Sequence, residues 1–115
     1  MDVLVIVLGG AVHVGLGRAA VRHVWPVLAL RTAVEALREI RDRSPRLVVV
    51  QVSALNSEPL KLIRMLRHCS QPVLIVAVAN SHRTQLEQLV RDAGASCYLP
   101  AADDESQLIQ TVASM

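Results

Sequence analysis

Acidic residues are missing from three long stretches of this 115-residue chain: residues 3–34, 43–57 and 69–86 contain no Asp or Glu. The first four predicted strands and the loops that follow them all fall within these stretches. In an open parallel sheet, ligands bind among the loops at the carboxyl ends of the strands. A site there would lack the carboxylates on which Mg²⁺ binding and much acid/base catalysis depend.

Aromatic residues are scarce as well, since they make up 2% of the chain and Phe is absent. Val, Leu, Ala and Ile supply most of the hydrophobic residues, which amount to 52%. This composition suits a β-branched parallel sheet covered by Leu- and Ala-rich helices. At this length we expect one domain, residues 1–115, although the chain ends soon after its last predicted helix and could be a piece of a longer protein.

The longest apolar run, residues 3–12, is too short to cross a bilayer and includes two glycines. It also has no basic segment before it, as a signal peptide would. We therefore expect no membrane span, no signal peptide and no membrane partner. Only two cysteines occur, Cys69 and Cys97, and in a core-rich domain of this kind they are expected to be free thiols. These features favour a reducing, cytoplasmic location.

The net charge is only +2, but the charges are unevenly distributed. From Arg18 to Arg67 the chain has ten Lys and Arg residues and four acids, whereas from Arg83 onward it has two basic and five acidic residues. The basic residues lie at helix-face spacing among acids such as Glu35 and Glu39, without an aromatic or glycine-rich RNA-binding signature. We interpret them as a solvated face and expect no direct nucleic-acid binding.

Hydrophobic periodicity predicts five strands that alternate with five helices. Such alternation is typical of a right-handed, doubly wound three-layer αβα sandwich around a parallel sheet. The predicted strands are Val3–Leu8, Pro26–Leu30, Leu47–Val52, Val73–Val78 and Ser96–Leu99, and the predicted helices are Val12–Val24, a second after Thr32, Glu58–His68, a fourth after Asn80 or Ser81, and a fifth from Asp103.

Capping residues mark several helix ends. Thr32 with Glu35 predicts a capping box on the second helix, and Ser57 predicts the N-cap of the third helix, with Pro59 in its first turn. Gly94 predicts the end of the fourth helix. The side chains expected to face the core are Ala33, Ala36, Leu37 and Ile40 on the second helix, Leu86, Leu89, Val90 and Ala93 on the fourth, and Leu108, Ile109 and Val112 on the fifth.

Three segments resemble the receiver domain of two-component response regulators. The run SPRLVVVQVSALNSEPLKLIRMLR, residues 44–67, is similar to strand 3, its loop and helix 3 of that family; QPVLIVAVA, residues 71–79, to strand 4; and AGASCYLP, residues 93–100, to the junction of helix 4 and strand 5. The resemblance extends over essentially the whole chain, more loosely at Trp25–Leu37. It implies a flavodoxin-like fold with strand order 2-1-3-4-5 and a role in bacterial signal transduction or transcription control.

Five positions that carry the chemistry of receiver domains are altered in this chain. By the resemblance, Val7 and Leu8 stand where the family has the acidic pair that holds Mg²⁺, and Gln51 stands where it has the phosphoacceptor Asp. Ala77 replaces the switch Ser or Thr, and Ala101 replaces the Lys after strand 5. The resemblance therefore implies a degenerate receiver, or pseudo-receiver, that lacks the phosphorylation site.

Physical chemistry gives these replacements consequences. Mg²⁺ needs carboxylate and water oxygens in octahedral array, and two aliphatic side chains offer none. Phosphoryl transfer to the protein needs a carboxylate nucleophile, which the amide of Gln51 cannot supply. His23, His68 and His82 are too scattered to indicate a metal site, and no pairing of a nucleophile with a base is evident. We therefore expect no enzyme, no metal and no cofactor.

A protein-contact surface follows from the resemblance instead. Receiver domains use the face formed by helix 4, strand 5 and helix 5, which implies that this chain binds a protein partner or a second copy of itself there, independently of phosphorylation. Tyr98 could anchor such an interface or fill the edge of the core. The residues that this interpretation places on the surface are Arg83, Glu87, Arg91, Tyr98, Gln107 and Gln110.

A small-ligand site is the alternative interpretation. Gly9, Gly10, His13, Gln51 and Ser53 fall at the carboxyl ends of strands 1 and 3, where a nucleotide- or cobalamin-type cofactor could bind. A nucleotide site of this kind would have an acid at the end of strand 2 to bind the ribose, and none is present. A cobalamin site would have an Asp two residues before His13 to orient the histidine, and this chain has Ala11 there. Gln51 could also simply satisfy nearby backbone groups, as buried amides generally must.

Overall fold

Five parallel strands form one sheet in the order β2-β1-β3-β4-β5. The structure, a computed structural model, describes residues 2–69, 72–79, 83–100 and 105–115. This order is the one expected for a flavodoxin-like fold, and the prediction is confirmed. The strands are β1 Val3–Leu8, β2 Val27–Leu30, β3 Leu47–Val52, β4 Leu74–Ala79 and β5 Cys97–Leu99.

Helices cover both faces of the sheet. Buried residues of α1 and α5 pack on one face, and buried residues of α2, α3 and α4 pack on the other. Among the described residues, no helix is both long enough and apolar enough to cross a bilayer. The helices are α1 Val14–His23, α2 Ala33–Arg43, α3 Glu58–Arg67, α4 Thr84–Ala93 and α5 Glu105–Ser114.

Alternation along the central strands divides their side chains between two cores. In β3, Val48 and Val50 face α2, α3 and α4, whereas Leu47 and Val49 face α1 and α5. Since both faces are covered, a continuous apolar run is the pattern that fits, and each fully buried Val or Leu contributes about 1.5–3 kcal/mol through the hydrophobic effect. Strand β2 lies at the edge and is half-exposed.

Several boundaries differ slightly from the predictions. Helix α1 is shorter at both ends than Val12–Val24, because His13 is extended and Val24 adopts a left-handed conformation with φ +58°. Strands β2 and β5 each begin one residue later than predicted, and β4 is shifted by one residue. The predicted caps Asn80 and Ser81, and the predicted helix start at Asp103, lie outside the described residues.

The predicted capping box of α2 is confirmed. The hydroxyl of Thr32 accepts a hydrogen bond from Glu35 N–H at 3.2 Å, and the Glu35 carboxylate accepts one from Thr32 N–H at 3.2 Å. Ser57 is the N-cap residue of α3, as predicted, but its side chain does not cap the helix. Ser57 is itself helical in conformation and makes no capping bond, whereas Asn56 Oδ1 accepts from Glu58 N–H at 3.0 Å. Asn56 therefore satisfies the first turn of α3.

Most of the predicted inward-facing side chains are buried. Leu89 is the exception, because it is 46% exposed while its neighbours Leu86 and Val90 are buried. Leu37 and Ile109 are only partly buried and pack against the rims of the two cores. Both cysteines are free thiols, as expected.

Replacement of Thr32 by Ala should lower the free energy of unfolding by about 1 kcal/mol, because it removes the capping hydroxyl of α2. Urea denaturation monitored by circular dichroism measures the change. Ser57→Ala is the matched control and should change stability by less than about 0.5 kcal/mol, because that hydroxyl caps nothing. Equal losses from the two substitutions would contradict this account of the helix starts.

Candidate functional site

The carboxyl edge of the sheet, where the parallel strands end, begins with two glycines after β1. Gly9 and Gly10 have φ of +74° and +80°, in the left-handed region that glycine adopts without strain. Gly9 N–H donates to the carbonyl of Leu30 at the end of β2, at 2.9 Å. A Cβ on Gly9 would lie 3.3 Å from Asn56 Nδ2. The glycines therefore allow the β1–α1 loop to turn tightly across the strand ends.

Gln51 connects the end of β3 to this loop. Its side-chain Oε1 accepts a hydrogen bond from His13 N–H at 3.0 Å, and its Nε2 donates to the carbonyl of Ala11 at 2.9 Å. The interpretation that Gln51 satisfies nearby backbone groups is confirmed. Because an amide carries both a donor and an acceptor, one side chain satisfies the two opposite backbone groups of the loop.

A second amide, Asn56, ties the same loop to the start of α3. Its Nδ2 donates to the carbonyl of Leu8 at 2.6 Å while its Oδ1 caps α3. Asn56 was not among the predicted site residues. An Asn that closely follows a strand and precedes a helix favours a local capping turn, but its contact with Leu8, 48 positions away, has no local signal. Gln51 and Asn56 are called the amide bridges below.

Three of the five positions that the resemblance assigns to receiver chemistry, Val7, Leu8 and Ala77, are apolar and buried. Val7, Leu8 and Ala77 are 1%, 2% and 0% exposed. Val7 and Leu8 end β1, and Ala77 lies in β4 opposite Val50. Ala101 lies outside the described residues. The structure therefore brings Val7, Leu8 and Gln51 to the ends of adjacent strands.

These residues do not fit the Mg²⁺ that receiver domains bind. The side chains of Val7 and Leu8 carry no oxygen, the carbonyl of Leu8 accepts from Asn56, and the amide of Gln51 is engaged by the loop on both sides. A hard cation needs several free oxygen ligands in octahedral array. Across the part of the chain that the structure describes, no three His, Cys, Asp or Glu residues are grouped to hold a metal ion.

A cavity of about 710 Å³ lies over this edge and contains the residues proposed for a small ligand. None of its described lining residues is acidic, and its basic side chains are His13 and Arg83. A second cavity of about 620 Å³ adjoins it between the β3–α3 loop and α4. The polar lining of the first cavity consists of Gly9, Gly10, His13, Gln51, Ser53, Asn56 and Arg83.

The predicted contact residues lie beside β5, the last strand of the sheet, although Arg83 also lines both cavities at the carboxyl edge. Helix α4 packs on one face of this edge strand and α5 packs on the opposite face. On α4, Arg83 and Arg91 are exposed, and Arg91 Nε pairs with Glu87 Oε2 at 2.9 Å. Gln107 and Gln110 are exposed on α5.

Tyr98 does not share this exposure. It is 5% exposed and packs in the core under α2, α3 and α4. Burial raises the pKa of its hydroxyl above the ordinary 10.0, a hydrogen bond from the Arg83 backbone acts in the opposite direction, and the Glu87 carboxylate raises it further. Of the two interpretations of Tyr98, the structure shows the one in which it fills the core.

The strand order and the alternation of strands and helices define the fold class of this protein. The strand order and alternating helices are those of the CheY-like, flavodoxin-like α/β fold. No protein-family model and no curated protein matches the chain by sequence.

Several solved structures that match the chain are response regulators or their receiver domains. A response regulator from Thermotoga maritima is 21% identical with a TM-score of 0.75, over 99% of this chain and 97% of that one. The BeF₃-activated receiver domain of Klebsiella pneumoniae RstA is 21% identical with a TM-score of 0.74, over 98% and 96%. A CheY-like receiver domain protein from Methanospirillum hungatei is 16% identical with a TM-score of 0.75, over 99% and 92%. At these identities the similarity establishes the fold.

Replacement of Gln51 by Leu should free the β1–α1 loop, because His13 N–H and the Ala11 carbonyl lose their partners. We expect faster hydrogen exchange at the His13 amide and a loss of about 1–2 kcal/mol in the free energy of unfolding, since both groups stay partly accessible to water. NMR-detected exchange and urea denaturation measure the two effects. Gln110→Leu on the exposed face of α5 is the control; unchanged exchange at His13 in Gln51→Leu would contradict the bridging role.

Proposed function

We propose that this chain is a pseudo-receiver: a module with the receiver fold that accepts no phosphoryl group and acts through protein contacts. One observation carries the proposal. Gln51, at the position where the resemblance places the phosphoacceptor, has both amide atoms hydrogen-bonded to the β1–α1 loop. A role in bacterial two-component signalling or transcription control, with a cytoplasmic location, belongs to the same proposal and is supported by the resemblance to receiver domains.

The chemistry of phosphoryl transfer supports the first part of the proposal. An amide is no substitute for a carboxylate nucleophile, and the transferring group needs its charge neutralised by a metal ion and a cation. Val7 and Leu8 offer no ligand to a metal. The only lysine in the chain, Lys61, pairs with Glu58 on α3 at 2.9 Å. The described edge therefore supports no enzymatic step of this kind.

The edge formed by α4, β5 and α5 supports the second part. Strand β5 has only three residues and pairs with β4 alone, so one of its sides is left for other contacts. The exposed residues beside it carry charges of both signs and amides, a mixture suited to a polar rim of a protein interface. We propose a second copy of this chain as the partner, and a different protein is the alternative outcome.

Incubation with Mg²⁺ and acetyl phosphate, or with beryllofluoride, should leave the amide NMR spectrum and the intact mass unchanged. The reason is the absence of both nucleophile and metal ligands at the ends of β1 and β3. Gln51→Asp, which restores a carboxylate alone, should also stay unmodified. A mass increase by one phosphoryl group, or beryllofluoride-dependent shifts around Gln51, would overturn the proposal.

Arg91→Glu should weaken self-association about tenfold, since it reverses a charge beside β5, breaks the ion pair with Glu87 and alters the charge complementarity of the surface. Sedimentation equilibrium over a range of concentrations measures the dissociation constant. Arg43→Glu is the matched control, because Arg43 forms the same i,i+4 ion pair with Glu39 but lies on α2. Equal effects of the two variants, or a monomer up to about 1 mM protein, would contradict a dimer through this edge.

A further inference from the structure

The two cavities at the carboxyl edge form one continuous trough. Their volumes, about 710 and 620 Å³, each fall within the range of roughly 300–1,000 Å³ that is usual for sites of small organic ligands. They meet along a shared wall that includes the β3–α3 loop and the start of α4. The residues common to both cavities are Ser53, Ala54, Leu55, Asn56, Arg83 and Leu86.

The two ends of this trough differ in chemistry. The end over β1 is lined by the glycine loop, His13 and the amide of Gln51. The other end is lined by leucines of the β3–α3 loop, α3 and α4. Two of these leucines are exposed, since Leu55 is 98% and Leu89 46% accessible to solvent. Exposed apolar side chains that line a concave surface indicate contact with an apolar group.

The charge of the trough has one sign. No described lining residue of either cavity is acidic, and Arg83 lies in the wall that they share. The acids on the adjoining helices are engaged elsewhere: Glu58 Oε1 accepts from Ala33 N–H at 3.1 Å and Oε2 pairs with Lys61, while Glu87 pairs with Arg91. The hydrogen bonds from Lys61 and from the Ala33 backbone lower the pKa of the Glu58 carboxyl. Glu58 therefore stays ionised and paired with these groups.

We propose that this trough binds a small organic acid with an aliphatic body, its carboxylate at Arg83 and its apolar chain against Leu55 and Leu89. The guanidinium of Arg83 supplies the charged donor that a carboxylate recognises. The exposed leucines Leu55 and Leu89 offer apolar surface that the aliphatic body would cover. The trough shares Arg83 with the contact surface predicted beside β5, so the two proposals are tested through different residues, Arg91 for the contact surface and Arg83 for the trough.

Titration of the full chain with decanoate, below its micelle concentration, tests the proposal by ¹H–¹⁵N NMR. Decanoate should shift the amides of Gly10, Ser53, Leu55 and Arg83 in a saturable way. Decylammonium, which has the same chain with the opposite charge, should shift none of them. Equal shifts with the two ligands, shifts confined to other parts of the chain, or no saturation with decanoate would overturn the proposal.

Arg83→Gln supplies the second arm of the test. It should raise the dissociation constant for decanoate at least about tenfold, because it removes the charged donor while leaving a polar, uncharged side chain. Arg64→Gln is the matched control, since Arg64 is exposed on α3 outside the lining of both cavities, and it should change the constant less than about twofold. Unchanged affinity in Arg83→Gln, or equal losses in the two variants, would overturn the assignment of the carboxylate to Arg83.

Discussion

Burial of the central strands on both faces is the constraint on which the rest of the molecule depends. All six side chains of β1 are buried, as are all but Gln51 in β3, so these strands have no room for unpaired polar groups along their length. Polar side chains occur only at the ends of these strands. The two amide bridges lie at that boundary, and they satisfy backbone groups that the turn after β1 would otherwise leave without partners.

The choice of amides over carboxylates at this edge has an electrostatic reason. Several acids close together repel one another unless a cation lies between them, and partial burial raises the cost of their charge. A neutral amide carries no such cost, and it both donates and accepts. The edge of this chain is therefore stabilised by internal hydrogen bonds at a position where a metal-dependent receiver would have to offer its oxygens to a ligand.

The sequence predicted the parts of the structure that depend on local pattern. The apolar runs correctly predicted β1 and β3, and Thr32 with Glu35 correctly predicted the start of α2. Contacts between distant segments could not be predicted: nothing near Asn56 indicates that its side chain would contact Leu8 and satisfy the first turn of α3 in place of the Ser57 hydroxyl. Periodicity alone could not reveal that Leu89 faces a trough at the surface. The prediction that Gln51 satisfies backbone groups was correct, but the groups themselves, in the β1–α1 loop, could be identified only from the structure.

The bridge from Gln51 limits which side chains this position can accept. An Asp at this position would be one methylene shorter and could only accept hydrogen bonds, so it would face the Ala11 carbonyl oxygen without a donor. Phosphoryl chemistry at this edge would require a different loop after β1, acids in place of Val7 and Leu8, and a carboxylate in place of the Gln51 amide. Each of these changes is unfavourable without the others, because the same hydrogen bonds hold the loop and the strand ends together.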